Sequence, residues 1–193
     1  MKNKQRAVFI DRDGVVNPVI DRGDKYVVCG KQCRWTAPYS YEEFKIFSFV
    51  AEALAVLKEA GFLLILVTNQ PDIAYGLLPK KDYEMIMADV CMLGFDDIFV
   101  CPHMRQEKCE CKKPKPGMLL EAAGKWDIDL SSSYMVGDTE TDMLAANAAG
   151  CGKFILVNNT HNSGVTTSLK VENLLYAAFL IKKMKGETRE NFC

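Results

Sequence analysis

The sequence has no long apolar run, no low-complexity tract and no excess of charge of one sign, and each absence excludes a class of protein. A membrane-spanning helix needs about 20 consecutive apolar residues, whereas charged residues interrupt the apolar runs here well before that length. The amino terminus, MKNKQRAVFIDRD, reaches charged residues without the apolar core of a signal peptide. We therefore expect a cytoplasmic protein that does not bind membranes.

The chain also lacks a strong net charge. Its 193 residues carry a formal net charge of −1 and the isoelectric point is near 6.2, so the overall charge does not attract nucleic acid. With 49% hydrophobic residues the chain can bury one sizeable core, and we expect a single domain over residues 1–193 and a monomer. The eight cysteines would suggest disulfides in an exported chain, but nothing indicates export, so we expect reduced thiols, some of them bound to metal.

Short apolar runs that favour strands alternate with helical patterns along the chain. Predicted strands lie at 7–10, 62–67, 97–100, 134–136 and 154–157, and predicted helices at 49–61, 79–94, 116–126, 139–150 and about 170–185. Such alternation is typical of a parallel sheet covered by helices on both faces. The sequence therefore predicts an α/β fold, a Rossmann-like three-layer sandwich with a mainly parallel sheet. In such sheets the ligand crevice lies beyond the carboxyl ends of the strands.

Polar residues follow four of the predicted strands at those ends. The sets are Asp11, Asp13 and Asn17 after the first strand, Thr68, Asn69 and Gln70 after the second, Lys112 and Lys113 beyond the third, and Gly137, Asp138 and Asp142 after the fourth. Side chains two residues apart in an extended segment point the same way, so Asp11 and Asp13 should lie together and Asp138 should join them from a neighbouring strand. Because oxygen ligands of this kind suit Mg²⁺, we predict that these three carboxylates bind Mg²⁺ while Thr68, Asn69 and a lysine surround a phosphate.

A surface turn or a Ca²⁺ loop is the alternative interpretation of the Asp-Arg-Asp-Gly segment. The EF-hand pattern fails because Val15 stands where a third Asp or Asn is needed and Arg22 stands where the twelfth-position Glu is needed. A turn by itself would leave the polar residues at the other three strand ends unexplained.

A second pattern, C-x-H-x5-C-x-C, is formed by Cys101, His103, Cys109 and Cys111. Four such ligands with no open position are typical of a closed, tetrahedral, structural zinc site. Ordinary buried thiols or a disulfide are the alternatives, but Cys109 and Cys111 are too close in sequence to bridge comfortably, and neither alternative accounts for the histidine. We predict a Zn²⁺-binding loop at 101–111 that braces the segment carrying the two lysines.

The four sets, quoted as DRDGVVN, VTNQ, KKPKPGM and GDTETD, resemble in order the four motifs of the haloacid dehalogenase (HAD) superfamily of phosphatases. The resemblance covers residues 7 to about 157. It implies that Asp11 is the nucleophile that forms an aspartyl phosphate and that Asp13 is the acid and base. Thr68 and Lys113 would complete the catalytic set, with Lys115 as the nearby alternative lysine. The expected substrate contacts are Arg12, Asn17, Asn69, Gln70, Lys112 and Thr139.

Within the superfamily, the zinc loop, KKPKPGM and TNQPDIAYG are similar to the heptose bisphosphate phosphatases and also to the histidinol-phosphate phosphatases. The resemblance implies a Mg²⁺-dependent phosphatase of carbohydrate metabolism that hydrolyses a small sugar phosphate. The leading candidate reaction is removal of the 7-phosphate of D-glycero-D-manno-heptose 1,7-bisphosphate. Strands, helices and their loops fill the intervals between motifs, so no cap domain is expected. Histidinol phosphate is the alternative substrate. A nucleic-acid 3′-phosphatase and a zinc-braced interaction module without enzymatic activity are more distant alternatives.

The chain departs from the heptose pattern at three places. Lys112 stands where those enzymes usually have arginine, which replaces a bidentate fork by a point charge, and Thr139 stands where many have lysine. The connection from Pro18 to Tyr41 is also longer than the corresponding loop of those relatives. Its aromatic residues Tyr26 and Trp35 either pack onto the domain or contact the ligand, so the sugar and its anomer stay open.

Overall fold

The fold is described from a computed structural model that covers residues 4–28, 30–157, 165, 167 and 169–190, with side chains up to Gly186. In chain order the strands are β1 (Ala7–Ile10), β2 (Ile20–Asp21), β3 (Val27–Val28), β4 (Lys31–Gln32), β5 (Trp35–Thr36), β6 (Leu63–Asn69), β7 (Asp97–Cys101), β8 (Tyr134–Gly137), β9 (Lys153–Val157) and β10 (Lys170–Val171). The α-helices are α1 (Val50–Glu59), α2 (Lys80–Met92), α3 (Gly117–Trp126), α4 (Glu140–Ala149) and α5 (Leu174–Glu190). No helix among these residues is long and apolar enough to cross a membrane.

Six of the strands form one sheet in the order β10-β9-β8-β1-β6-β7, and every pairing in it is parallel. Strand β1 lies in the interior of the sheet, with Ile10 opposite Leu66 of β6 and Val136 of β8. The carboxyl ends of these three strands therefore meet at one edge. The predicted α/β fold with a parallel sheet is confirmed.

The sheet is covered on both faces because its strands alternate between two apolar cores. Val8 and Ile10 of β1 belong to the core beneath α1, α2 and α5, whereas Ala7 and Phe9 belong to the core beneath α3 and α4. All four side chains are fully buried, which explains why the strands appear in the sequence as short continuous apolar runs. This gives the three layers expected from the pattern.

The end of the chain differs from the sequence prediction of a helix starting near 170. Lys170 and Val171 form the edge strand β10 and pair with Leu156 and Val157 of β9, and α5 starts only at Leu174. The side chain of Asn173 accepts hydrogen bonds from the backbone N–H groups of residues 175 and 176. Two residues of strand pairing leave too little periodicity to be recognised in a sequence.

The connection between β1 and α1 contains a small β-structure that we call the flap, residues 18–41. Strand β2 pairs with β5 and β3 pairs with β4, both antiparallel. Arg22 forms two hydrogen bonds to Glu43, at 2.6 and 2.5 Å, which fasten the flap to the segment before α1. Within the flap, Arg34 forms a second fork to Asp21, at 2.9 and 2.8 Å. The long loop recognised in the sequence is therefore a braced hairpin extension.

The close approach of Gly152 to the segment before β8 predicts a strong stability effect. A Cβ at this position would overlap the Ser131 carbonyl oxygen, and the Gly152 N–H donates to Leu130 O at 2.9 Å. We expect Gly152→Ala to lower the free energy of unfolding by about 1–3 kcal/mol, the usual cost of overpacking. Urea titration followed by circular dichroism measures the change.

The matched control is Gly124→Ala, in the exposed interior of α3, where a Cβ meets nothing within 4 Å. This change should raise the free energy of unfolding by about 0.5–1 kcal/mol, because alanine is the better helix former. Equal urea midpoints for Gly152→Ala and the wild type would show that Gly152 does not lie as close to the Ser131 carbonyl oxygen as described.

Candidate active site

Three buried carboxylates meet at the carboxyl edge of the sheet. Asp11 directly follows β1, Asp138 directly follows β8, and Asp142 lies in the first turn of α4. One oxygen from each lies within 4.8 Å of the others. The group arises because β1 and β8 are neighbours in the sheet and α4 starts immediately after β8.

Lys113 brings a positive charge into this group. Its Nζ atom lies 2.7 Å from Asp11 Oδ1 and 2.5 Å from Asp142 Oδ1, and it donates a hydrogen bond to Val67 O at 2.9 Å. The alternative lysine, Lys115, is partly exposed instead and pairs with Glu110 at 2.7 Å. The structure therefore places Lys113 beside the expected nucleophile.

The electrostatics of the group favour binding of a cation. Burial, and next the charge of Asp142, raise the pKa of Asp11 well above its usual range, although Lys113 opposes this. Burial lowers the pKa of Lys113, but Asp11 and Asp142 more than offset it, so the pKa is raised overall and the ammonium form persists. Asp11 and Asp142 share the Lys113 ammonium, and an oxygen of Asp138 lies close to an oxygen of each. Hard oxygen donors gathered in this way suit a divalent cation such as Mg²⁺.

The Asp13 carboxylate is held apart from this group. Arg12 donates to it from Nε at 3.2 Å and from Nη2 at 2.9 and 3.0 Å, Asn17 Nδ2 donates at 3.0 Å, and Gln70 Nε2 donates at 2.7 Å. The sequence predicts that this side chain joins Asp11 and Asp138 around Mg²⁺, and the structure differs. The carboxylate group that the structure forms contains Asp142 in its place, because the three donors turn the Asp13 carboxylate towards themselves.

Three residues expected to contact substrate have a different position. Arg12, Asn17 and Gln70 are fully or almost fully buried, and they are absent from the residues that line the cleft beside Asp11. Their donors point at Asp13 instead. They orient that carboxylate, and the sequence alone does not reveal which way a polar side chain beside a strand end is turned.

The other three residues expected to contact substrate form hydrogen bonds to neighbouring residues of the site. Asn69 exchanges two hydrogen bonds with the backbone of Lys113, at 3.2 and 3.1 Å, and so fixes the segment that carries this lysine. Thr139 donates to Asp142 from its backbone N–H at 3.0 Å and from its hydroxyl at 2.6 Å. Asn69 and Thr139 still line the cleft, whereas Lys112 donates to His103 O at 3.1 Å and lines a neighbouring basic depression.

An open cleft of about 550 Å³ lies over the carboxylates. Its charged and polar side is formed by residues from the sheet edge, namely Asp11, Asp13, Thr68, Asn69, Lys113, Asp138, Thr139 and Thr141. The flap contributes Val28, Cys33, Trp35, Thr36, Ala37 and Tyr39. The loop after β6 adds Pro71, Asp72 and Tyr75. A small phosphate ester fits such a cleft, with its phosphate at the sheet edge.

The sequence does not reveal the orientation or the role of three residues of the site. Asp142 follows the fourth strand, but only its spacing from Thr139, the S/T-x-x-[DE] pattern of a helix amino terminus, indicates that it turns back towards the strand end. The structure shows this capping box. Asp72 and Tyr39 lie in connections whose course a single sequence does not reveal.

The predicted cysteine and histidine ligands come together. Cys101 Sγ lies 3.6 Å from His103 Nδ1 and 3.6 Å from Cys109 Sγ, and His103 Nδ1 lies 3.2 Å from Cys111 Sγ. All four ligand atoms lie within 4.8 Å of one another, and the three cysteines are free thiols. The disulfide alternative is therefore not formed, and the four side chains could hold a metal ion.

Comparison with known proteins identifies the relatives of this chain. A model of the HAD-hydrolase-like family matches residues 110–177. A D-glycero-beta-D-manno-heptose-1,7-bisphosphate 7-phosphatase of Vibrio cholerae is 41% identical over 165 residues, which are 78% of this chain and 80% of the relative. A D-glycero-alpha-D-manno-heptose-1,7-bisphosphate 7-phosphatase of Campylobacter jejuni is 36% identical over 168 residues, covering 83% of this chain and 87% of the relative.

The fold is also similar to a solved structure. The crystal structure of D,D-heptose 1,7-bisphosphate phosphatase from B. bronchiseptica, complexed with magnesium and phosphate, has a TM-score of 0.74 and 29% identity. The similarity covers 93% of this chain and 99% of that chain. The likeness therefore extends well beyond the strand-end motifs.

Because the ion pair between Arg12 and Asp13 is largely buried, we predict that replacing Arg12 lowers the free energy of unfolding more than replacing the exposed Arg34. Arg12→Met should lower the free energy of unfolding by about 3 kcal/mol, because it leaves a largely buried carboxylate without its cation. Arg34→Met removes a comparable fork to Asp21 on the exposed flap and should cost at most about 1 kcal/mol. Thermal and urea unfolding measure both variants, and equal losses would contradict the described burial of Arg12.

Proposed function

This chain belongs to the haloacid dehalogenase superfamily of phosphatases, and from this membership we propose that it removes the 7-phosphate of a D-glycero-D-manno-heptose 1,7-bisphosphate in the presence of Mg²⁺. The observation that carries the proposal is the position of Asp11. Its carboxylate lies in the cleft, 2.7 Å from Lys113 Nζ, and it belongs to the group formed with Asp138 and Asp142. A nucleophile, a fixed cation and metal ligands are thus combined at one point.

The reaction proceeds in two steps at phosphorus. In the first, an Asp11 oxygen attacks phosphorus, the bond to the sugar oxygen breaks, and Asp13 gives its proton to that oxygen. In the second, Asp13 takes a proton from a water molecule that attacks the phosphorus of the aspartyl phosphate, the bond between phosphorus and the Asp11 oxygen breaks, and inorganic phosphate leaves with the Asp11 carboxylate restored. Two such steps replace a direct attack of water on a phosphate dianion. The three donors to Asp13 keep its carboxylate in place for both transfers.

The side chains around phosphorus supply positioning and charge, which contribute most of the rate in phosphoryl transfer. The buried Lys113 ammonium neutralises charge beside Asp11. Thr68 Oγ1 accepts a hydrogen bond from Gln70 Nε2 at 2.9 Å, so its own proton is available to a phosphate oxygen in the cleft. When bound by Asp11, Asp138 and Asp142, Mg²⁺ would offset the repulsion between the phosphate dianion and the attacking carboxylate.

The choice of a heptose bisphosphate as substrate is supported by two relatives, and the chain aligns with four fifths or more of the length of each. One relative is named for the beta anomer of the heptose and the other for the alpha anomer. We therefore propose the heptose and its 7-phosphate and leave the anomer unassigned. The open cleft of about 550 Å³ admits a small sugar, and the strand-end site accepts its terminal phosphate. Histidinol phosphate is the alternative substrate that the experiment must include.

We also propose that the metal of the cysteine and histidine cluster is zinc and that it is structural. Ligands at ordinary zinc distances on the corners of a tetrahedron lie about 3.5–3.8 Å apart, close to the distances between these side chains. The cluster begins at the end of β7 and ends two residues before Lys113. A metal there would hold the start of the segment that delivers this lysine.

The substrate prediction is tested by phosphate release from heptose 1,7-bisphosphate, histidinol phosphate and a 3′-phosphorylated DNA oligonucleotide, each with Mg²⁺ and with EDTA. We expect Mg²⁺-dependent release of phosphate from the heptose bisphosphate alone, with heptose 1-phosphate as the product.

Asp11→Asn should lower kcat for this substrate by at least about a thousandfold, because it removes the nucleophile. Asp127→Asn changes an exposed carboxylate in a left-handed conformation that asparagine tolerates, and it should match the wild type. Faster release from histidinol phosphate, or full activity of Asp11→Asn, would refute the proposal.

The zinc prediction is tested by metal analysis of the purified protein. The wild type should contain about one zinc ion per chain, and Cys111→Ser should lose it together with part of the thermal stability. Cys91→Ser alters an exposed thiol outside the cluster and should keep the zinc. Retention of a full zinc ion by Cys111→Ser, or a wild type that carries none after growth with zinc, would disprove this assignment.

A further inference from the structure

The cleft is lined by two kinds of surface. The sheet edge supplies the charged groups at phosphorus, whereas the flap supplies apolar and aromatic groups, among them Val28, Trp35 and Ala37. Charged groups suffice for a phosphate, but they do not bind the C–H surface of a carbon chain. An apolar wall beside a phosphate site therefore indicates recognition of the part of the substrate that does not react.

Trp35 is the largest side chain of this wall and is held in place. It lies in β5, where it pairs with Asp21 of β2. The guanidinium of Arg34 lies 5.1 Å from the centre of its ring, and Arg34 is itself fixed by Asp21 and Asp24. A tryptophan ring in a fixed position offers a large apolar surface at low cost in conformational entropy.

Asp72 also lines the cleft, but its carboxylate has no role in the two proposed catalytic steps. It is only partly exposed, and its side chain makes no hydrogen bond or ion pair within the described part of the chain. Its backbone carbonyl accepts from Leu77 N at 2.8 Å and from Leu78 N at 3.1 Å, so the turn that carries it is well defined. Burial, and next the charge of Asp13, raise the pKa of Asp72 to about 6, so at neutral pH it is mainly ionised and accepts hydrogen bonds.

The turn of Asp72 is joined to the loop of the metal-ligand cluster. Tyr75, which also lines the cleft, accepts a hydrogen bond on its hydroxyl from Arg105 N at 2.9 Å. Asp72 therefore belongs to a wall that is fixed on more than one side. A partly buried acceptor in such a wall gains most from a ligand that brings hydroxyl donors.

We propose that Asp72 and Trp35 determine the specificity for the polyhydroxylated carbon chain of the substrate, Asp72 by accepting hydrogen bonds from its hydroxyl groups and Trp35 by packing against its C–H surface. This inference rests on the proposed sugar phosphatase function. The two residues act on the sugar and not on phosphorus. Their effect is therefore seen as a difference between a sugar substrate and a small phosphorylated compound, such as an acyl phosphate, whose carbon part has no hydroxyl groups.

The experiment compares kcat/KM for heptose 1,7-bisphosphate with kcat/KM for acetyl phosphate, both with Mg²⁺. Asp72→Asn should lower the ratio of the two values about tenfold or more, the effect expected for hydrogen bonds to a charged acceptor. Trp35→Leu should lower the same ratio about fivefold through a higher KM for the sugar. A ratio is used because a change that only loosens the fold or the reaction site lowers both values together.

Two matched controls lie outside the cleft. Asp127→Asn changes an exposed carboxylate far from the flap and Val27→Ala an exposed apolar side chain of the flap, and neither residue lines the cleft. Both variants should keep the ratio within about twofold of the wild type, as expected for surface changes.

The outcomes separate this inference from the function on which it rests. A wild type that hydrolyses heptose bisphosphate, combined with unchanged ratios in Asp72→Asn and Trp35→Leu, overturns the inference and leaves the function standing. Equal loss for both substrates in these variants also overturns it. A wild type that hydrolyses acetyl phosphate but not the heptose overturns the proposed substrate, and this inference with it.

Discussion

The contact of the Lys113 ammonium with Asp11 and Asp142 is the interaction on which the rest of the site depends. Two carboxylates so close together and so well buried repel each other, and each loses the hydration that would stabilise its charge. An ammonium 2.7 Å from one and 2.5 Å from the other provides the nearest compensation among the side chains. An oxygen of Asp138 lies within 4.8 Å of an oxygen from each of the other two, so three hard oxygen donors are gathered where a divalent cation could bind.

Much of the surrounding structure fixes where that ammonium lies. Asn69, at the end of β6, holds the Lys113 backbone with two hydrogen bonds, and Val67 O accepts from the ammonium itself. The cluster of Cys101, His103, Cys109 and Cys111 brings both ends of the loop that precedes Lys113 close together. Gly117, at the start of α3, is needed because a Cβ there would overlap the Glu110 carbonyl oxygen. The cysteine and histidine cluster and the carboxylates around Lys113 are thus joined through one short segment of the chain.

Strand periodicity makes part of this site predictable from the sequence, whereas the orientation of individual side chains is not predictable in this way. Asp11 and Asp138 could be placed together because each directly follows a strand of a parallel sheet, and the ends of such strands share an edge. The choice between Lys113 and Lys115 depends on which side chain is buried, and the direction of Arg12 depends on its fork to Asp13. Both are settled by tertiary packing. The edge strand at Lys170 and Val171 is not predictable for a related reason, since only its pairing with β9 identifies it as a strand.

A reaction site of this kind has no intrinsic means of choosing among phosphate esters, because its charges address the phosphate that all of them share. Discrimination must come from groups that touch the rest of the molecule. The part of the chain that the structure describes supplies such groups mainly through the flap and the turn after β6. The flap is held at Glu43 by Arg22 and internally by Arg34, so it can present a fixed surface to a substrate. In this fold the sheet edge defines the chemistry, whereas the connections inserted beyond it define the substrate.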